Sequence, residues 1–125
     1  MIADSGTETS ATRPPGELSV DTVLRLVADR RRRFVIDRLK RHDFALTLAD
    51  LAEEVVVAEN DVRLPDIDEQ EVLRVYLSLY HNHIPRLSEH GVVEYEQERD
   101  LVGLSDDTGP VTDLLSVLAE NGFER

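Results

Sequence analysis

The stretch "SLYHNHIPRLSEHGVVEYEQERDLVGLS", Ser78 to Ser105, constrains the fold more than any other part of the chain. Its first half carries apolar residues at helical spacing, and Gly91 then stops the helix. Val92 to Glu96 alternates as a strand, and Leu101 to Leu104 returns beside it around a polar tip. A helix that feeds directly into a two-stranded hairpin leaves few architectures open, and the residues upstream narrow them further.

Ser19 is an N-cap for a first helix, with Val20, Val23, Leu24 and Val27 at i, i+3, i+4, i+7 spacing. Asp29 caps a second helix, Arg30 to Arg41, whose apolar stripe is Val35, Ile36 and Leu39. A short strand is predicted at Phe44 to Leu46. Thr47 then caps a third helix with Leu48, Leu51, Ala52 and Val55 on one face. Ala58 to Ile67 reads as a loop. Asp68 opens a fourth helix with Glu69 and Glu71 in its first turn, where acids suit the helix dipole. Leu73, Leu77, Tyr80, Ile84 and Leu87 are its expected core stripe, and Val72, Val75, Leu79 and His83 form a second, partly apolar side. Pro85 lacks an N–H and should kink or split this helix. A final helix is predicted from Pro110 through Asn121, with Val111, Leu114, Leu115 and Leu118 on one side and Gly122 as its stop. Met1 to Glu17 lacks periodicity and reads as a disordered tail ahead of one domain, 18–125. The fold class expected is mainly α with a small β-hairpin.

At 125 residues the chain holds one core. It has no apolar run of about 18 residues to cross a bilayer and no signal-peptide pattern after Met1, so a soluble, cytoplasmic protein is expected. Cysteine is absent, which removes disulfides and thiolate metal sites. The net charge is −12, and Lys40 is the only lysine beside 13 arginines. That balance fits a chain kept soluble at very high salt, as in a salt-loving archaeon. Residues 25–41 carry eight basic and two acidic side chains, a net +6 that leaves −18 for the rest. A compact cationic segment on an acidic body is a candidate docking surface.

Two segments carry a resemblance. "LVADRRRRFVIDRL", Leu26 to Leu39, and "HNHIPRLSEHGVVEYE", His81 to Glu96, resemble winged helix-turn-helix regulators of the arsenical-resistance-repressor type. His83, Ile84, Leu87 and Gly91 match that family's pattern, while His81 and Asn82 replace its Ser and Arg. The chain is more similar still to small haloarchaeal winged-helix proteins of uncharacterised function. The resemblance covers about residues 18–105 and implies that the helix starting near Asp68 reads the DNA major groove. Glu71, Arg74, Ser78, His81 and Asn82 then face outward, with Arg74 suited to guanine, Asn82 to adenine, and Ser78 or His81 to phosphate or a base edge.

The wing departs from the pattern, offering Glu94, Glu96, Glu98 and Asp100 around a single Arg99. Phosphate contact favours arginine and lysine there. Arg30 to Arg33 place four cations at a helix start, where the dipole disfavours them. A phosphate clamp using Arg30 and Arg33 is one reading; an ion-pair ladder of Arg33, Asp37 and Arg41 is the other. His81, His83 and His90 do not converge as metal ligands, and His83 is expected to be hydrogen-bonded at the core edge. There is no glycine-rich phosphate loop and no nucleophile elbow, so an enzyme is not expected. No cofactor, membrane or small-molecule ligand is implied.

The reading is a DNA-binding transcription regulator on double-stranded DNA, with the terminal helix pairing across a homodimer axis. The rival is an acidic winged-helix module for protein–protein interaction without DNA binding.

Overall fold

A computed structural model of the chain describes residues 18–106 and 108–121. The predicted tail over 1–17 and the Gly122 stop lie outside the described residues. The architecture is mainly helical with a small, open, three-stranded antiparallel sheet. No helix is long and apolar enough to cross a membrane among the described residues.

The chain runs α1 (Val20–Val27), α2 (Arg30–His42), β1 (Leu46–Thr47) and α3 (Leu48–Asn60). A 3-10 turn at Leu64–Asp66 precedes α4 (Glu69–Ser78), which continues through a π-helical turn (Leu79–His83) into α5 (Ile84–Glu89). Then come β2 (Val93–Glu96), β3 (Leu101–Leu104) and α6 (Gly109–Glu120).

Local chemistry sets the helix starts. Ser19 Oγ accepts the Thr22 N–H at 3.1 Å, and Asp29 Oδ1 accepts those of Arg31 and Arg32 at 2.8 and 3.2 Å. Thr47 Oγ1 takes the Asp50 N–H and Asp68 Oδ1 the Gln70 N–H. Each bond satisfies a donor that the helix itself leaves open. After α5, Gly91 takes φ +76°, its N–H bonds the Ser88 carbonyl, and the Val92 N–H reaches the Leu87 carbonyl at 2.9 Å. This is a Schellman stop, and it turns the chain into β2.

The sheet order is β1-β3-β2. Leu46 pairs Val102 and Thr47 pairs Leu101, while Tyr95 pairs Val102 from the other side. The strand predicted at Phe44 to Leu46 thus lies one or two residues later. Phe44 stays 63% exposed and meets the His42 ring at 5.4 Å. Likewise α3 runs to Asn60, into the segment expected to be a loop.

The core joins Val35, Ile36 and Leu39 of α2 to Leu48, Leu51 and Val55 of α3, with Val92, Val102 and Val111 closing it. Burying each such side chain contributes about 1.5–3 kcal/mol. The long helix corrects one expectation. Up to the first residue of the π turn the buried residues are Val75 and Leu79, whereas Leu73 and Leu77 are 57% and 44% exposed. From its last residue onward His83, Ile84 and Leu87 are buried.

The cause is the extra residue of the π turn. The Ile84 N–H bonds the Leu79 carbonyl, five residues back rather than four. One added residue rotates the following helix by about 100°, so no single 3.6-residue stripe fits the whole rod. Pro85 explains the turn's position: its missing N–H and its ring disfavour a regular bond to the His81 carbonyl. The break expected at Pro85 is therefore realised as a π turn without a change to another conformation; Ser78, Leu79, His83 and Ile84 all keep right-handed helical angles.

Candidate nucleic-acid interface

The outer face of the α4–α5 rod carries four of the six residues expected to contact DNA. Arg74, His81 and Asn82 are exposed, and Ser78 is half-buried. Arg74 is tethered: its Nη2 and Nε both reach Glu71 Oε1, at 2.8 and 3.2 Å. The pair is solvent-facing, with the Arg74 side chain 64% exposed, so it contributes about 0–1 kcal/mol and yields readily to another anion. His81 stands edge-on to the Tyr80 ring, with centroids 4.9 Å apart. Leu73 and Leu77 share the outer side with these polar groups.

Arg86 was not singled out in the sequence. It follows Asn82 by one helical turn, is exposed, and has no hydrogen bond or ion pair among the described residues. Its i+4 spacing from Asn82 was the available signal.

Arg30 and Arg33, the two residues of the expected phosphate clamp, each make a contact within their own part of the chain. The Arg30 guanidinium lies over the Phe34 ring, 5.2 Å from its centroid. Arg33 Nη1 donates to the Val27 carbonyl, and the side chain lines a groove against α6. Their neighbours are committed as well. Arg32 donates from Nε to the Leu26 carbonyl at 2.8 Å and from Nη2 to the Arg25 carbonyl at 3.1 Å. Arg31 grips Glu59 with two bonds. Arg32 and Arg33 thereby satisfy the carbonyls that the end of α1 leaves open. The dipole penalty on the run is offset by Asp29 at the cap and by these bonds.

The hairpin tip is held by its own acid. Asp100, at φ +56°, accepts the Tyr95 hydroxyl at 2.6 Å and the Tyr76 hydroxyl at 3.4 Å. Its backbone carbonyl takes the Leu48 N–H at 2.9 Å. Burial, then the Asp100 carboxylate, pushes both tyrosine hydroxyls above their ordinary proton affinity. Asp100 is thus a joint between hairpin, α4 and α3. Glu94, Glu96 and Glu98 are exposed, and Arg99 sits 3.5 Å from Glu96. The tip offers negative charge to whatever approaches it.

His83 also differs from expectation. It is 5% exposed, and its Nδ1 has no hydrogen-bond partner among the described residues. Burial lowers its proton affinity, while the Asp29 carboxylate pulls the other way. Among the described residues no group of three or more His, Asp or Glu side chains converges as a metal site would.

A family model described as "Domain of unknown function (DUF7344)" matches residues 24–103. No curated protein and no solved structure matches the chain.

Proposed function

The chain belongs to the DUF7344 family, a domain of unknown function, and we propose that it is a winged helix-turn-helix regulator that binds double-stranded DNA. The α4–α5 rod lies in the major groove, α3 is the preceding helix of the motif, and β2–β3 is the wing. One observation carries this reading: Arg74, His81, Asn82 and Arg86 are all exposed along a single rod joined directly to the hairpin. Arginine and asparagine at such positions suit guanine and adenine edges. The two-fold contact falls on α1 and α6, where Val20, Leu24 and Val117 stay exposed.

Phosphate attraction at the rod is weak in this arrangement, because Arg31 and Arg32 are engaged internally, Arg33 and Arg41 line the groove against α6, and the wing is acidic. Binding then rests on base contacts and on cations taken up between carboxylates and DNA. The test is crosslinking of the tagged protein to chromosomal DNA, followed by operator titrations from low to molar KCl. Arg74→Ala and Asn82→Ala should each cost about 1–3 kcal/mol and relax preference at one base position. Unchanged affinity and preference in both variants would overturn the assignment.

A second reading has its own support. Leu73 and Leu77 are exposed on the same rod, and the wing that follows it carries the exposed acids Glu94 and Glu96. Exposed leucines on an otherwise strongly acidic chain suit a protein partner. Recovery of one stoichiometric protein and no DNA would favour it.

A further inference from the structure

A groove of about 210 Å³ separates α2 from α6. Arg33, Lys40 and Arg41 line its α2 wall together with a single acid among the described residues, Asp37, and Thr112 and Ser116 are on the α6 wall. We propose that this groove binds a small phosphate-bearing anion, either free phosphate or a phosphate monoester. The proposal does not rest on DNA binding.

Three observations converge. The first is local charge: three cations face one carboxylate on a chain whose net charge is −12. Asp37 is already shared, with Arg41 Nε at 2.9 Å and Arg38 Nε at 3.6 Å, so it cannot neutralise the other two. The second is Arg33. It is half-buried, it meets no carboxylate among the described residues, and its Nε is buried without a hydrogen-bond partner there. The Val27 carbonyl satisfies Nη1 but carries no full charge and leaves Nε open, a cost that an anion in the groove would offset. The third is Lys40, the one lysine in the chain, which has no partner among the described residues and lines the same groove.

The hydroxyls refine the ligand class. Thr112 Oγ1 donates to the carbonyls of Thr108 and Gly109, so it offers the groove only lone pairs. Ser116 has no such bond among the described residues and can donate into the groove. Two exposed cations, one half-buried guanidinium and one hydroxyl donor match an anion with several acceptor oxygens better than chloride. A ligand held there touches α2 and α6 together and would fasten the terminal helix to the domain.

The experiment is amide NMR on the full chain, titrated with inorganic phosphate and, separately, glucose 6-phosphate, at an ionic strength held constant with KCl. Saturable shifts should centre on Lys40, Arg41 and Ser116. A Lys40→Gln/Arg41→Gln variant should bind at least about tenfold more weakly, the loss of one charge-assisted contact. Both positions are exposed, so the fold should survive, and Arg63→Gln, on the connection before α4, should bind as the parent does. Tighter binding of the sugar phosphate would identify an ester as the ligand; equal binding would identify the phosphate group alone. Shifts that fail to saturate with either probe, or an affinity unchanged in the double variant, would overturn the proposal.

Discussion

Arg31 and Glu59 close on each other in a two-pronged ion pair, Nε to Oε2 at 2.6 Å and Nη2 to Oε1 at 2.8 Å. The partners lie 28 residues apart, in the first turn of α2 and the last turn of α3. Their side chains are only 26% and 17% exposed, and the bond to Glu59 raises the proton affinity of Arg31. The pair pins two helix ends together near the start of α4, whose Glu71 adds to the field at Arg31. The most conspicuous charge run in the sequence therefore begins as a fastening.

Removing one partner leaves a shielded charge without its match, which costs more than losing a surface pair. Glu59→Gln should destabilise the domain by about 1–3 kcal/mol in urea unfolding. Arg63→Ala, at an exposed position, should stay within about 0.5 kcal/mol of the parent. Equal stability of the two variants would mean that water screens the Arg31–Glu59 contact.

Gly91 offers a cleaner backbone test. A Cβ added there would meet nothing within 4 Å, so packing is not at issue. The positive φ of 76° remains, and an L side chain in that region costs roughly 1–2 kcal/mol. Gly91→Ala should lose about that much in thermal or urea unfolding. Gly91→Asn should lose less, because asparagine tolerates the left-handed region. A silent Gly91→Ala would show that the turn relaxes to negative φ.

His83 should make stability depend on pH. Burial lowers its folded proton affinity below the ordinary value near 6.5. Below that value the unfolded chain binds a proton that the folded one resists, so stability falls as pH drops from about 6.5 toward the lowered folded pKa. Above about 6.5 the contribution is complete. Asp29 has the opposite origin. Burial opposes its charge, but the Arg32 N–H, the facing His83 and Arg32 charges and the Arg31 N–H together lower its pKa. Its contribution is therefore lost only in the range below about 4, outside the histidine window. Urea unfolding of the parent and His83→Leu at pH 8, 7, 6 and 5 should show the parent losing more stability across the acid steps. Parallel curves would remove His83 as the source.

What was legible in the sequence was the chemistry that acts within a few residues. Ser19, Asp29, Thr47 and Asp68 mark helix starts because each side chain bonds an N–H two or three positions on. Gly91 marks a stop because its left-handed angle is local. The phase of the long helix was not legible. Val75 and Leu79 on one side and Leu73 and Leu77 on the other are equally apolar, and the π turn at Leu79–His83 shifts the register between the two halves. The contacts of the arginine run were hidden for another reason. Its acceptors, the carbonyls of Arg25, Leu26 and Val27, carry no side-chain signature. The groove beneath Lys40 brings α2 to α6, a proximity no local pattern encodes.

Leu77 separates the two functional readings in one substitution. It is 44% exposed, between Arg74 and His81 on the rod. If that face enters a major groove, a lysine at position 77 adds a cation near phosphate at little cost to the fold. Leu77→Lys should then tighten non-specific DNA binding and steepen the dependence of log affinity on log salt by about one unit. If the face docks a protein, the same change puts an unpaired charge into an apolar contact, which costs on the order of 2 kcal/mol or more. Capture of the partner should then fall by more than about tenfold while DNA affinity stays negligible. Anisotropy titrations of labelled duplex from 0.1 to 2 M KCl, roughly the span over which the Debye length falls from about 10 to 3 Å or less, read the first outcome. A flat salt dependence in parent and variant alike removes the DNA reading, because phosphate contact without counterion release is not available to a lysine.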